Sequence, residues 1–242
     1  MPEIFLFQSP LFQLPSSPLL AISAASLRAF VERAGCKLFP PLCLFPDSGW
    51  IAWNLFLAAI PLVLSVWLFR RPRTRRTLAW WAAFLVYVAF LPNAPYLLTD
   101  IIHSVQAARL PYPAWVIILL VIPLHFVAIV GGFQAYVISL INQQAYLVRE
   151  GAKRFVNWAE LMMHGLCAIG IFLGRFHRLN SWDLVQAPSA TLVQVLDTLT
   201  TKWPAFVILI TFLIITILYW IMKQVTLGLV LRYRELRAEA KG

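Results

Sequence analysis

The chain has 242 residues, 61% of them hydrophobic and 12% charged, with a mean hydropathy of +0.77. This composition excludes a soluble globular domain and indicates an integral membrane protein. The formal charge of +10 would suit nucleic-acid binding, but the basic residues lie in short loops between apolar segments, where they act as orientation signals. We therefore expect the lipid bilayer as a partner and no nucleic acid.

Residues 1–49 form a Pro-rich N-terminal segment in which no apolar run is long enough to cross a bilayer. The spacing of its apolar residues predicts one helix over residues 17–34, with Gly35 as the stop signal. Two alternatives stay open for this helix. It either lies on the membrane surface or forms a weak sixth span.

Residues 50–242 are predicted to form a single membrane bundle. Five apolar segments approach the length of about 20 residues that a crossing helix needs, and they lie at about 50–69, 78–98, 114–141, 156–174 and 203–222. The third would be about 42 Å long as a helix, which predicts tilt, a break at Gly131–Gly132 or overhang. We therefore predict an all-α integral membrane helical bundle with five transmembrane helices.

Clusters of basic residues predict how the bundle is oriented. Five arginines lie between residues 70 and 76, three basic residues lie between 149 and 154, and more follow residue 231. The positive-inside rule places these segments in the cytoplasm. We expect a plasma (inner) membrane protein with a cytoplasmic C-terminus. On the opposite face, Pro188–Ser189 opens a predicted amphipathic helix that lies along the membrane surface.

This orientation brings three polar stretches to the same outer face of the membrane. They are Trp53–Asn54, Pro92–His103 and Gly174–Asp183. Burying polar groups near the hydrocarbon of the membrane costs free energy, so their concentration at one membrane edge indicates a functional site. The candidate ligand-binding residues are Asn54, Asn93, Tyr96, Asp100, His103, Arg175, His177, Arg178, Asn180, Ser181 and Asp183.

The residue types at this face favour an anionic ligand, either a lipid headgroup or a small solute. Arg175 and Arg178 are three residues apart, which suits two-point capture of a phosphate or carboxylate. The structural alternative is an ion pair in which Asp100 ties the second span to the fourth through one of these arginines, as in a purely structural or assembly protein.

A catalytic function is the other open alternative. Asp100 with His103 or His177 could act as an acid and base pair in a membrane-embedded enzyme on a lipid-linked substrate, but no nucleophile motif assigns catalytic residues. The same three residues with Asp183 are also types that bind zinc or manganese. No dense ligand motif accompanies them, so we predict neither a metal nor another cofactor.

Ionisable residues also lie inside the predicted spans. His125 and His164 fall near the middle of their spans, and Glu160 precedes His164 by one helical turn. A proton or ion path is one interpretation. We favour the other, in which neutral imidazoles form hydrogen bonds between helices.

The three cysteines divide into two groups. Cys36 and Cys43 flank Pro40–Pro41 on the predicted outer side, where a disulfide and two free thiols are the alternatives. Cys167 lies within a span, and we interpret it as a small packing residue.

Three sequence blocks resemble those of a known family. They are Trp53–Pro61 (WNLFLAAIP), Leu91–Asp100 (LPNAPYLLTD) with His103, and Leu173–Asp183 (LGRFHRLNSWD). Together they resemble the signature blocks of a bacterial multi-pass membrane family, the domain of unknown function 1361, over residues 50–222. The resemblance implies a multi-pass membrane protein and carries no activity or catalytic residues. The Pro-rich segment 1–49 departs from the apolar leader of that family and leaves the number of spans open.

Overall fold

A computed structural model describes residues 18–38, 49–71, 76–107, 109, 112–176, 193 and 202–240. Over these residues the secondary structure is helical and no strand occurs. Five helical segments are long and apolar enough to cross a membrane: Trp50–Arg70, Leu78–His103, Ala114–Arg149, Lys153–Phe176 and Trp203–Glu239. The prediction of an all-α membrane bundle with five transmembrane helices is confirmed.

The described α-helices are numbered in chain order. They are α1 (Pro18–Leu38), α2 (Gly49–Ser65), α3 (Leu78–Phe90), α4 (Asn93–Tyr96), α5 (Ile101–Ala107), α6 (Ala114–Val116), α7 (Ile122–Arg149), α8 (Val156–Phe176) and α9 (Lys202–Glu239). Turns of π-helix at Val66–Arg70 and Ile117–Val121 and turns of 3₁₀-helix at Leu97–Asp100 and Lys153–Phe155 join some of them into longer segments. The first four spans therefore contain more than one local helix type, whereas the fifth is a continuous α-helix.

Helix α7 occupies the centre of the bundle. Helix α2 makes its most extensive contact with α7, and α4, the Leu97–Asp100 turn, α8 and α9 also pack against it. The core between these helices contains the fully buried side chains of Phe69, Tyr87 and Tyr136. Helix α9 packs mainly on α8 and leaves much of its apolar surface exposed, as expected for a helix that faces lipid.

Three glycines at which the sequence suggested a helix end or allowed a break do not interrupt their helices. Helix α1 continues through Gly35 to Leu38, and α7 runs without a break through Gly131 and Gly132. A Cβ atom at Gly35 would lie 2.7 Å from Ala52 Cβ, and one at Gly132 would lie 2.7 Å from Leu97 Cδ2. These two glycines allow close contact between neighbouring elements. A break at Gly131–Gly132 therefore does not account for the excess length of the third span, and α7 continues to Arg149 rather than ending near residue 141.

The second span is interrupted where the sequence places its two prolines. Pro95 has no backbone N–H and cannot complete the regular hydrogen-bond pattern, so α3 gives way to the short α4 and then to a tighter 3₁₀ turn. Asn93 Nδ2 donates to the Phe90 carbonyl at 3.0 Å, and Thr99 Oγ1 donates to the Tyr96 carbonyl at 2.7 Å. Side-chain hydrogen bonds thus satisfy backbone carbonyls at the interruption of the helix.

The cysteines differ in their bonding in the structure. Cys36, near the end of α1, is disulfide-bonded, whereas Cys167 is a free, buried thiol in the core beside Tyr136. Cys43 lies outside the described residues, as does the amphipathic helix predicted from Pro188. The N-terminal helix α1 packs against α2 and is absent from the apolar spans found among the described residues.

Glycine 170 provides a test of how closely α8 approaches the interrupted second span. A Cβ atom at this position would lie 2.7 Å from Pro92 Cβ and 2.8 Å from Pro92 Cγ, atoms of a rigid ring that cannot rotate away. We expect Gly170→Ala to lower the stability of the detergent-solubilised protein by about 1–3 kcal/mol. The measurement is thermal or denaturant unfolding followed by circular dichroism.

The matched control is Gly165→Ala on the same helix, where a Cβ atom would meet nothing within 4 Å. This variant should be neutral or slightly stabilising, because alanine is the better helix former. If both variants unfolded at the same point, the close contact between Gly170 and Pro92 would be refuted.

Candidate functional site

The carboxylate of Asp100 is the centre of the outer polar site. Asp100 ends the 3₁₀ turn Leu97–Asp100 and is only 1% exposed. Asn54 of α2 donates a hydrogen bond from Nδ2 to Asp100 Oδ2 at 2.7 Å. A buried carboxylate requires such a donor, because an unpaired charge in this environment is costly. The bond joins the first two spans at the polar residues that the sequence analysis had placed on one face.

Two basic side chains lie near the other oxygen of the same carboxylate. Arg175 Nη1, from the last turn of α8, is 3.8 Å from Asp100 Oδ1. His103 Nε2, one turn beyond Asp100 on α5, is 3.9 Å from it. Both distances are too long for direct hydrogen bonds, although they are short enough for electrostatic attraction. The arrangement therefore agrees with the predicted Asp100–Arg175 ion pair, while the arginine keeps donor capacity for another acceptor.

His103 is held beside the indole ring of Trp50. Their ring centroids are 4.7 Å apart, and His103 Nδ1 is 3.2 Å from Gln106 Oε1. Nδ1 thus faces the amide of Gln106, and Nε2 faces the carboxylate. The His103 side chain is 38% exposed, against 1% for Asp100. The imidazole is thus the part of this acid–imidazole pair that a ligand can reach.

Trp50 and His125 belong to the same neighbourhood, and the sequence analysis did not include them in the site. The Trp50 ring is 5.6 Å from the ring of His125, which is buried at the start of α7. His125 Nδ1 lies 2.8 Å from the Val121 carbonyl, in the adjacent π-helical turn. Within the described residues, the hydrogen bond of His125 therefore runs along its own segment, and no bond to another helix is found there.

The remaining candidates divide into those that the structure places and those beyond its described part. Asn93 is half-buried, and its bond to the Phe90 carbonyl caps α3. Tyr96 is half-buried beside it. Neither side chain makes a hydrogen bond to Asp100. His177, Arg178, Asn180, Ser181 and Asp183 lie outside the described residues. Within the described part, no group of three metal-binding side chains occurs.

A second set of polar residues lies near the opposite end of α8. Glu160 Oε1 accepts hydrogen bonds from Lys223 Nζ at 2.7 Å and from Tyr219 Oη at 2.6 Å. Further along α8, His164 Nδ1 and the Tyr136 hydroxyl share a hydrogen bond that joins α8 to α7. The interpretation of His164 as an interhelical hydrogen-bonding residue is confirmed. The sequence analysis had not found Tyr136, Tyr219 or Lys223, because tyrosine and lysine at span ends are ordinary belt and anchor residues.

The hydrogen bond between Asn54 and Asp100 can be tested by deleting its donor. Asn54→Ala leaves one oxygen of a buried carboxylate without its amide partner, so we expect a loss of about 1.5–3 kcal/mol in the free energy of unfolding. Gln106→Ala is the control, since it deletes an amide from the exposed contact with His103 and should change stability by less than about 0.5 kcal/mol. Equal losses in the two variants, measured by unfolding in detergent, would count against the buried bond.

Comparison with known proteins identifies the family of the chain. No curated protein and no solved structure matches it. A family model described as "Protein of unknown function (DUF1361)" matches residues 53–217. This match begins at Trp53, ends at Ile217 and includes Asn54, Asp100, Glu160 and Arg175. The chain is a multi-pass membrane protein that belongs to the DUF1361 family.

Proposed function

We propose that the outer site binds an anionic group, either the headgroup of a lipid or a small anionic solute. The observation that carries this proposal is the incomplete use of Arg175. Its side chain is 28% exposed, and its one ion-pair partner within the described residues is Asp100 at 3.8 Å. An arginine presents five N–H donors in a fixed plane, and this contact engages none of them at hydrogen-bond distance.

The surroundings of Arg175 favour binding of a negative charge. Asp100 is oriented by Asn54 on its Oδ2 side, so the carboxylate offsets only part of the arginine charge. The walls around the site are apolar helices, and charge interactions are stronger beside such a low-dielectric surface than in water. Arg178, three residues further along the chain, is the second donor that the sequence predicts for the same ligand.

A second candidate function rests on the contact between Asp100 and His103. A buried carboxylate 3.9 Å from the Nε2 atom of a half-exposed imidazole is an arrangement that general acid–base catalysis uses. The substrate would then be a lipid-linked molecule that enters from the bilayer. His103 would exchange the proton, and Asp100 would stabilise the protonated imidazole. A purely structural ion pair is the third alternative, and the lipid-binding experiment below separates it from the first.

We further propose that the chain resides in the plasma (inner) membrane with its C-terminus in the cytoplasm. Arg70, Arg71, Arg76 and Arg149 lie at one end of the bundle, where α2 ends, α3 begins and α7 ends. Arg149 Nη2 donates to the Phe69 carbonyl at 2.9 Å, and Arg76 Nε donates to the Tyr146 hydroxyl at 3.1 Å. The positive-inside rule supports a cytoplasmic location for this end and an outer location for Asp100.

Single cysteines test this orientation. In a variant in which the native cysteines are replaced by serine, a membrane-impermeant thiol reagent added to intact cells should not label Arg73→Cys or Arg237→Cys. It should label Gln186→Cys. After permeabilisation all three should react, which confirms that each position is accessible. Labelling of Arg237→Cys in intact cells would overturn the proposed orientation.

The anion proposal is tested by native mass spectrometry of the purified protein with its co-purifying lipids. We expect Arg175→Gln to lower retention of anionic lipid by at least about tenfold, because a charge-assisted hydrogen bond contributes about 1.5–3 kcal/mol. Arg109→Gln is the matched control, since it removes an exposed arginine from the loop that follows α5. It should leave lipid retention unchanged.

A second arm distinguishes a lipid from a small solute. Delipidated protein is titrated with inorganic phosphate by calorimetry, in parallel with vesicles of phosphatidylcholine that contain phosphatidylglycerol. Binding of phosphate that Arg175→Gln abolishes would identify a solute, whereas binding only to the anionic vesicles would identify a lipid. Equal retention by wild type and Arg175→Gln in every arm would overturn the proposal and leave the structural ion pair.

A further inference from the structure

The polar residues near the beginning of α8 form a second site, distinct from the outer one. Glu160 is one turn into α8 and its side chain is 15% exposed. Its Oε1 atom accepts from both Lys223 and Tyr219 of α9. The hydroxyl of Tyr219 in turn accepts from Gln144 Nε2 of α7 at 3.0 Å. The ammonium of Lys223 and the phenol of Tyr219 thus meet at one carboxylate oxygen of Glu160. The amide of Gln144 supports the phenol from a third helix.

His164 extends this site into the core of the bundle. It follows Glu160 by four residues and therefore lies on the same face of α8, while Tyr219 and Lys223 have the same spacing on α9. The rings of His164 and Tyr219 are 4.7 Å apart. His164 is only 2% exposed, and its Nδ1 atom is bonded to the Tyr136 hydroxyl. Its Nε2 atom makes no hydrogen bond to the part of the chain that the structure describes.

These groups provide two proton acceptors at different depths. Glu160 Oε2 makes no hydrogen bond to a described residue, and Glu160 is near enough to the helix start for water to reach it. The imidazole of His164 is the deeper acceptor, on the same helical face. Ionisable residues within a bundle usually mark functional positions when they are this closely grouped. A merely structural contact between α8 and α9 would need only the ion pair and would not need a buried imidazole beside it.

We propose that Glu160 and His164 form a proton-binding site that opens at the beginning of α8, next to the turn with Lys153 and Arg154. A hydronium ion or buffer acid at that surface gives its proton to Glu160 Oε2, where a new O–H bond forms and the donor departs as water or conjugate base. Oε1 continues to accept from Tyr219. Lys223 loses its counter-charge and can extend toward the headgroups, as lysine side chains near span ends do. His164 is the second acceptor, and it takes the same proton when Glu160 releases it inward.

Several titratable or charged groups face these two acceptors from the neighbouring helices and govern when the proton binds. They are Tyr136 on α7, Cys167 on α8, Tyr219 and Lys223 on α9, and Tyr87 on α3, which lies in the same core cluster. Lys223 is the only formal charge among them. It favours the ionised form of Glu160, so removing it should make proton uptake easier.

Infrared difference spectroscopy on acidification tests this proposal. The full-length protein is reconstituted in vesicles of phosphatidylcholine and phosphatidylglycerol, and the pH is lowered from about 8 to about 4. A band of protonated carboxylic acid should appear in wild type. Glu160→Gln should remove one component of that band, whereas Asp100→Asn should retain it. One component of the acid-induced imidazolium band should be lost in His164→Gln but retained in His103→Gln.

Lys223→Met provides the quantitative test. Without the ammonium, the Glu160 component should appear at a pH higher by at least about one unit, the shift expected for losing a neighbouring opposite charge. If Lys223→Met fails to fold, Tyr219→Phe removes a single hydrogen bond to the same carboxylate and should move the band in the same direction. An acid-induced band that survives intact in Glu160→Gln, or one that neither neighbouring variant moves, would overturn the proposal.

Discussion

The constraint on which this bundle depends is that polar side chains within hydrocarbon must find hydrogen-bond partners inside the protein, because water is not available there. Helix α7 supplies most of those partners. Gln143 accepts from the Tyr87 hydroxyl of α3 at 3.0 Å, Asn142 donates to Ser65 of α2 at 2.9 Å, and Gln134 donates to Thr226 of α9 at 2.7 Å. Each bond fixes the rotation of one helix relative to α7. Apolar contacts alone distinguish poorly between rotations in a lipid environment, so these amides specify the arrangement.

Asp100 and Glu160, two carboxylates within the bundle, have similar surroundings. Each receives one neutral donor from a neighbouring helix, Asn54 for Asp100 and Tyr219 for Glu160. Each also lies near one cationic side chain, Arg175 of α8 for Asp100 and Lys223 of α9 for Glu160. The difference lies in the distance to that cation, which is 3.8 Å for Arg175 and 2.7 Å for Lys223. The looser pair leaves its arginine able to bind a further acceptor, whereas the tighter pair already joins its ammonium and carboxylate by a direct hydrogen bond.

Much of the architecture could be predicted from the sequence, because apolar runs and basic loops report directly on membrane crossings. The interruption near Asp100 was also predictable, since Pro95 cannot donate the required backbone hydrogen bond. The positions of the helix ends were harder to predict from the sequence. Helix α9 extends to Glu239 because nothing between Lys223 and that residue breaks a helix, although the apolar run ends earlier. The partners of Glu160 and His164 could not be found, because hydropathy places helices in the membrane without specifying which faces meet.

The contact of Gly170 with Pro92 has a mechanical consequence. It lies near the end of α8 that carries Arg175, and the ring of Pro92 lies in the segment that ends at Asp100. The rigid ring of Pro92 packs directly against the backbone at Gly170, so α8 can slide little along the second span. This contact lies between the two elements that carry Asp100 and Arg175. A twist of α8 about its axis would open the gap between carboxylate and guanidinium at one end. The width of that gap therefore depends on how closely α8 approaches Pro92.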